Sequence, residues 1–123
     1  MNVNLEDLSS IDYDTLPEYS SLPADFCGES YVQYYSSICK GWYKNGKLHR
    51  EDGPAIIRLS DKTEIWYFEG RRHRIGGPAQ TYFQDLETKI KIFMLNEEYF
   101  SEKNYWKHPL VLEYKLNKIL DNS

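Results

Sequence analysis

Apolar and polar residues alternate along short segments in the middle of the chain, as expected for β-strands that bury one face. In residues 63–68, the odd-numbered positions are predicted to lie on one face of a strand and the even-numbered positions on the other. Similar segments, each bounded by turn-forming residues, lie at 31–35, 55–59, 80–84, 90–95 and 98–100. Strands joined by such short turns pair antiparallel. The pattern therefore indicates a mainly β protein.

A 14-residue segment of this pattern occurs twice, at residues 42–55 and 66–79. The offset between matching positions is 24 throughout, and it relates Trp42 to Trp66, Gly46 to Gly70, His49 to His73 and Pro54 to Pro78. A fixed period of this size is typical of stacked supersecondary units. Each copy contains a predicted two-residue turn, Asn45-Gly46 in the first and Glu69-Gly70 in the second, and has a Gly-Pro pair near its end. The predicted fold is a single-layer, twisted antiparallel β-meander built from repeats of ~24 residues, with a C-terminal capping helix.

Three regions are predicted along the chain. Residues 1–21 form an acidic, loosely ordered N-terminal arm, residues 22–100 the repeat array, and residues 101–120 a C-terminal helical cap. In the cap, Ser101 suits the N-cap of a first helical segment, and Pro109 suits the first turn of a second. The apolar stripe of the second helix consists of Leu112, Leu116, Ile119 and Leu120. We expect this stripe to cover the edge of the last strand, which would otherwise be open to pairing with another chain.

Length and composition restrict the class of protein. The 123 residues suffice for one domain with a modest core. The mean hydropathy is −0.69, and no apolar run approaches the ~20 residues needed to span a bilayer. Because the N-terminus also lacks the features of a signal peptide, we predict a cytoplasmic protein with no membrane contact. Cys27 and Cys39 have no partners at zinc spacing, so we predict free thiols, no metal and no cofactor.

The net charge of −4 is unevenly distributed. Seven acidic residues and no basic residue precede Lys40, whereas the remainder of the chain carries a small excess of basic residues. Runs of one sign often form solvated tails or docking segments. The acidic arm therefore either folds over the more basic repeats or engages a partner, and both interpretations remain open at this point.

The first copy of the repeat resembles a known family. Residues 42–55 read WYKNGKLHREDGPA, which resembles the MORN-like repeat W-Y-x-N-G-K-x-H-R-x-D-G-P-A of bacteriophage and giant-virus proteins. The second copy departs from this pattern at Glu69 and Gly76, where the family has Asn and Asp. The resemblance extends over most of the chain, roughly residues 22–120. It implies single-layer β-meander modules that serve for contact and share no catalytic residues.

The paired groups His49-Arg50 and His73-Arg74 are the residues most suggestive of catalysis. They recur with the repeat, whereas an active site is usually a single set of unlike groups. We therefore predict that the protein is not an enzyme. Instead, we expect these residues to bridge neighbouring units through hydrogen bonds to backbone or to carboxylates such as Asp52.

Aromatic residues and arginine dominate the hot spots of protein interfaces, and both are frequent in the repeats. We therefore expect a non-catalytic protein-binding module. With the resemblance, this becomes a phage or viral accessory protein in the host cytoplasm that binds, and in the stronger version inhibits, a host defence or regulatory protein. The candidate contact residues are Trp42, Tyr43, Trp66, Tyr67, Arg71, Arg72, Arg74, Asp12, Asp14 and Glu18.

Two alternatives accompany this hypothesis. Arg71, Arg72 and Arg74 adjoin aromatic residues 66–68 and provide the cations and rings of a nucleic-acid site, although the chain as a whole is acidic. Alternatively, the protein is a self-associating structural module whose exposed strand edges pair to form a homo-oligomer.

Overall fold

The computed structural model describes residues 12–121, so residues 1–11 of the predicted arm lie outside the described part. The described chain is mainly β, with ten strands that pair antiparallel and two helices near the C-terminal end. The strands are β1 (Gly28–Tyr34), β2 (Ser37–Lys44), β3 (Lys47–Leu48), β4 (Ile56–Arg58), β5 (Glu64–Ile65), β6 (Tyr67–Phe68), β7 (Arg71–Arg72), β8 (Gln80–Phe83), β9 (Lys89–Leu95) and β10 (Glu98–Phe100). The helices are α1 (Glu102–Tyr105) and α2 (Pro109–Asp121).

The larger sheet has the order β1-β2-β4-β5-β8-β9-β10, with β3 paired to β2, while β6 and β7 form a separate two-stranded sheet. The segment predicted as one strand at 63–68 is therefore divided at Trp66. Its N–H donates to the carbonyl of Ala79 at 2.6 Å, and its carbonyl accepts from the N–H of His73 at 3.1 Å. Trp66 thus connects the two sheets through its backbone.

Four two-residue turns join consecutive strands, and both residues of each turn have positive φ. They are Tyr35-Ser36, Asn45-Gly46, Glu69-Gly70 and Asn96-Glu97. Positive φ at both positions is the geometry of a type I′ turn, whose twist matches that of the flanking strands. The predicted Asn-Gly and Glu-Gly turns are therefore confirmed, and the Tyr35-Ser36 turn forms without either glycine or asparagine.

One face of the larger sheet carries the main core. As predicted for residues 63–68, Thr63, Ile65 and Tyr67 are buried, whereas the even-numbered positions are half-buried or exposed. The main core cluster comprises Val32, Tyr34, Cys39, Tyr43, Leu48, Ala55, Ile56, Ile65 and Tyr67. A second, smaller cluster joins β9 to the helices and comprises Phe93, Leu95, Tyr105 and Val111.

The described part of the N-terminal arm follows the outer edge of β1. The N–H of Gln33 donates to the carbonyl of Pro17 at 2.8 Å, and the N–H of Tyr19 donates to the carbonyl of Gln33 at 2.9 Å. A short 3-10 helix, Tyr13–Thr15, precedes this contact and is capped by the side chain of Asp12. The arm thus covers one end of an edge strand and leaves the side chains of Asp12 and Asp14 exposed.

The helical cap differs from its prediction in one respect. Ser101 caps α1 by accepting from the N–H of Asn104 at 3.2 Å, and α2 begins at Pro109, both as predicted. The expected covering stripe, however, faces solvent: Leu112, Leu116, Ile119 and Leu120 are 50%, 55%, 66% and 59% exposed. The prediction was wrong because α2 meets the protein through Val111, on another side of the helix, while α1 lies against β9 and β10. Neither helix has the length and apolar character needed to cross a membrane.

Candidate functional site

Each repeated histidine joins its own unit to the next hairpin turn. The Nδ1 atom of His49 accepts from the N–H of Glu69 at 2.9 Å. Twenty-four positions later, the Nδ1 atom of His73 accepts from the N–H of Asn96 at 3.0 Å. The expectation that the histidines bridge neighbouring units is therefore confirmed. Both contacts require an unprotonated Nδ1 atom, and burial lowers the pKa of His73.

Each repeated arginine instead closes a loop within its own unit. Arg50 donates from Nη1 to the carbonyl of Pro54 at 3.1 Å, and its guanidinium lies 4.2 Å from the ring centre of Trp42. Arg74 donates in the same way to Pro78 at 3.2 Å, and its guanidinium lies 3.9 Å from the ring centre of Trp66. The guanidinium groups thus bond within their own units, whereas the backbone N–H groups bridge to the next one, from Arg50 to the carbonyl of Tyr67 and from Arg74 to that of Met94, each at 3.2 Å. Stacking on tryptophan adds a cation–π contact.

The two arginines differ in their counter-charge. The Nε atom of Arg50 lies 3.4 Å from a carboxylate oxygen of Asp52. In the second copy the equivalent position is Gly76, and within residues 12–121 no carboxylate lies within 4.0 Å of Arg74. Burial lowers the pKa of Arg74. Arg74 is therefore a partly buried cation without an ion-pair partner in the described part of the chain.

A buried tyrosine of α1 holds the loop that follows Arg74. The Tyr105 hydroxyl donates to the carbonyl of Arg74 at 2.6 Å and accepts from the N–H groups of Gly76 at 2.8 Å and Gly77 at 3.2 Å. These contacts use the donor and both acceptor positions of the hydroxyl. Burial raises the pKa of Tyr105. Through this residue, the cap fixes the backbone on which Arg74 is carried.

A groove of about 530 Å³ lies between the outer face of the repeats and α2. We call it the tryptophan groove; its principal lining residues are Trp66, Phe68, His73, Arg74, Leu110 and Tyr114. Its exposed walls are mostly apolar, and Leu110 and Tyr114 come from the helix. The site therefore combines apolar walls with the guanidinium of Arg74, a combination suited to binding a partner group.

A second groove, of about 440 Å³, is lined on the opposite side of β6 by tyrosines and an ion pair. We call it the tyrosine groove; its principal lining residues are Tyr19, Tyr34, Tyr35, Tyr67, Arg72 and Glu97. The hydroxyls of Tyr34 and Tyr67 are 2.7 Å apart, and those of Tyr19 and Tyr35 are 3.3 Å apart. The hydrogen bond with Tyr35, aided by burial, raises the pKa of Tyr19 to about 12. The tyrosine hydroxyls of this groove thus pair with one another.

The ion pair in the tyrosine groove joins two hairpins. Arg72 donates from Nη2 and Nε to one carboxylate oxygen of Glu97 at 2.8 and 3.0 Å, and its backbone N–H donates to the other at 2.7 Å. The hydrogen bonds from Arg72 lower the pKa of Glu97. Arg72 is therefore already paired within the protein.

The candidate contact residues predicted from the sequence are not brought together. Tyr43 and Tyr67 are 4% and 7% exposed, so these two were wrongly placed on a contact surface; they belong to the main core because alternation turns them inward. Trp42 and Trp66 are half-buried beneath Arg50 and Arg74. Asp12, Asp14 and Glu18 are all exposed in the arm.

The three predicted arginines do not form one patch. Arg71 is exposed, Arg72 lines the tyrosine groove, and Arg74 lines the tryptophan groove. Sequence reasoning also missed Tyr105 and Tyr114, which complete the site from the helical cap. The sequence signal for this part of the site was Gly76, which stands where the first copy has Asp52. The substitution leaves space beside Arg74 and removes the carboxylate that would pair with it.

Groups suited to metal binding do not cluster in the described part of the chain. Within residues 12–121 no three side chains of His, Cys, Asp or Glu converge as metal ligands would. Cys27 is exposed and Cys39 is buried, both are free thiols as predicted, and burial raises the pKa of Cys39 to about 11.

No family model matches the chain, and neither a curated protein nor a solved structure matches it.

Proposed function

We propose that this chain is a non-catalytic protein-binding module whose contact surface is the outer side of α2 together with the adjoining tryptophan groove. The observation that carries the proposal is the exposure of Leu112, Leu116 and Ile119 on successive turns of α2. Contiguous apolar side chains on a soluble surface usually mark an interaction site. Their i, i+4, i+7 spacing is that of a helix that presents an apolar face to a partner.

The same proposal includes the repeat architecture. Residues 22–100 form an array of units of ~24 residues arranged as a β-meander. Support comes from side-chain contacts that occur in both copies. The bond from Arg50 to Pro54 recurs 24 positions later as the bond from Arg74 to Pro78, and His49 and His73 each accept from the N–H of a later turn. In this architecture the repeats are a rigid support, and the last unit with its helices presents the contact surface.

The biological setting is proposed from the resemblance of residues 42–55 alone. The protein is an accessory protein of a bacteriophage or giant virus that binds a host defence or regulatory protein. Protein binding is favoured over nucleic-acid binding because Arg72 is paired with Glu97 and is separated from Arg74 by the sheet. A phosphate backbone requires several unpaired cations on one surface.

Affinity capture with matched variants tests the proposal. The tagged full chain should recover a stoichiometric partner from cells, and Leu116→Glu should weaken its binding by tenfold or more, since hot-spot losses typically exceed ~1.4 kcal/mol. Leu86→Glu is the control, because Leu86 is 99% exposed on the loop between β8 and β9. Equal retention of the partner by both variants, each folded by circular dichroism, would rule out α2 as the contact surface.

A second copy of the chain is the competing occupant of the α2 stripe. Sedimentation of the wild-type chain at several concentrations separates the two cases. A monomer that still captures its partner supports the proposal, whereas a dimer that Leu116→Glu dissociates assigns the stripe to self-association.

A further inference from the structure

Arg74 has hydrogen-bonding capacity that the described part of the protein does not use. Within residues 12–121, the hydrogen bond from its side chain is that from Nη1 to Pro78, and one face of the guanidinium lies on Trp66. A guanidinium carries five N–H donors in a planar fork suited to a carboxylate. Arg50, the equivalent residue, has Asp52 beside it. The second copy keeps the arginine but has Gly76 in place of this carboxylate, and within residues 12–121 Glu64 acts on Arg74 from beyond ion-pair distance.

Gly76 also shapes the groove in which Arg74 lies. Its φ is +103°, and a Cβ atom at this position would lie 2.6 Å from the ring of Tyr114. The absence of a side chain lets α2 approach the loop and form the second wall of the groove. A single position therefore accounts both for the unpaired guanidinium and for the apolar wall beside it.

The remaining charges around the groove restrict what it can bind. Glu51 and Glu113 also line it, and Glu51 lies 3.7 Å from Nε2 of His49. These carboxylates repel a ligand with many negative charges, such as a phosphate backbone. A single carboxylate that approaches Arg74 while an apolar group contacts Phe68 and Leu110 experiences less of this repulsion than a ligand with many negative charges. Because the site is partly desolvated, the charge-assisted hydrogen bond is strong.

We propose that the tryptophan groove binds an acidic–apolar segment of the protein partner, in which a carboxylate pairs with Arg74 and the neighbouring apolar side chain lies between Phe68 and Leu110. This inference rests on the proposed function and names the chemistry of the partner element. Arginine fits the role better than lysine would, since its planar fork forms two parallel hydrogen bonds to one carboxylate.

Two dipeptides that differ in one charge test the inference without the partner. Acetyl-Asp-Phe-amide and acetyl-Asn-Phe-amide are titrated to millimolar concentration into the 15N-labelled full chain, a range suited to ligands of this size. The indole N–H of Trp66 and the Nε–H of Arg74 report binding by NMR. We expect the Asp peptide to bind about tenfold more tightly than the Asn peptide, as a charge-assisted hydrogen bond predicts.

Matched arginine variants locate the preference. Arg74→Gln should abolish the difference between the two peptides, while Arg71→Gln, the same change at an exposed arginine outside the groove, should preserve it. Equal affinity of the two peptides for the wild-type chain, shifts confined to residues outside the groove, or a preference that survives Arg74→Gln would each overturn the inference. If Arg74→Gln folds poorly, the affinities of the two peptides for the wild-type chain still test the inference.

Failure of this inference is distinguishable from failure of the proposed function. Leu116→Glu should leave dipeptide binding unchanged, because Leu116 does not line the groove. If the wild-type chain shows no preference for the Asp dipeptide but capture of the partner still depends on Leu116, only the assignment of the groove is overturned. If Leu116→Glu does not affect capture of the partner but the charge preference is intact, only the assignment of α2 as the contact surface is overturned.

Discussion

Replacement of Tyr105 by phenylalanine is the sharpest test of how the helical cap stabilises the fold. The change deletes one hydroxyl from a fully buried residue and keeps the ring, whose centre lies 4.8 Å from that of Phe93 and 5.0 Å from that of Trp106. Packing should therefore be preserved. The loss falls on three backbone groups, namely the carbonyl of Arg74 and the N–H groups of Gly76 and Gly77.

The magnitude follows from how well water can replace the hydroxyl. The bond to Gly77 is buried, whereas those to Arg74 and Gly76 are partly buried. An unsatisfied buried group costs about 1–3 kcal/mol, and a partly solvated one costs less. We therefore expect Tyr105→Phe to lower the free energy of unfolding by about 2–4 kcal/mol. Tyr34→Phe, which leaves one buried hydroxyl on Tyr67, should cost about 1–2 kcal/mol.

Urea unfolding followed by tryptophan fluorescence measures these differences, with the free energy extrapolated linearly to water. Tyr99→Phe is the matched control, because Tyr99 is exposed and its hydroxyl should contribute within about 0.5 kcal/mol. The slope of free energy against urea should be unchanged, since the same surface is exposed on unfolding. A loss for Tyr105→Phe no larger than that of the control would refute this role of the hydroxyl.

Three further predictions concern the turns and ion pairs. Gly76→Ala should lower the free energy of unfolding by about 1 kcal/mol or more beyond the loss caused by Gly28→Ala. Both glycines have positive φ, but only Gly76 faces the Tyr114 ring. Equal urea midpoints for the two variants would contradict this prediction. Because burial lowers the folded-state pKa of His73, its neutral form contributes stability above about pH 6.5 that is lost as pH falls through the folded pKa. The unfolding free energy should thus decrease between about pH 7 and pH 5, and less so in His73→Asn, which keeps an acceptor for Asn96; an identical decrease would exclude His73. Glu97→Gln should cost about 1 kcal/mol at low salt and less at high salt, and a double-mutant cycle with Arg72→Gln that shows no coupling would count against the pair.

Much of the β structure was predictable because local residue types determine it. Alternation assigned the inward residues of 63–68, and the Asn45-Gly46 turn follows from the ease with which both residues adopt positive φ. Ser101 and Pro109 marked the helix starts because a serine side chain can cap a helix N-terminus and proline fits the first helical turn. In each case, the physical requirement lies within a few residues of sequence.

The remaining features depend on contacts between distant residues. Tyr35 and Ser36 form a type I′ turn without a favourable residue type, and the Tyr35 ring is held by stacking on Tyr19 at 5.6 Å and by the contact between their hydroxyls. Likewise, helical spacing identified an apolar stripe on α2 but not the side that meets the protein. Val111 was buried instead, since it fits beside Tyr105.

The two grooves show why one is the better candidate for binding. In the tyrosine groove the hydroxyls pair with one another and Arg72 pairs with Glu97, so a ligand there would have to replace hydrogen bonds already formed. In the tryptophan groove, Arg74 has no carboxylate partner within residues 12–121, and the apolar walls are open to solvent. A partner that supplies a carboxylate and an apolar group gains both contacts without breaking an internal ion pair. Gly76, the position at which the second copy departs from the first, creates this difference, so binding at this site should be lost if an acidic residue is restored there.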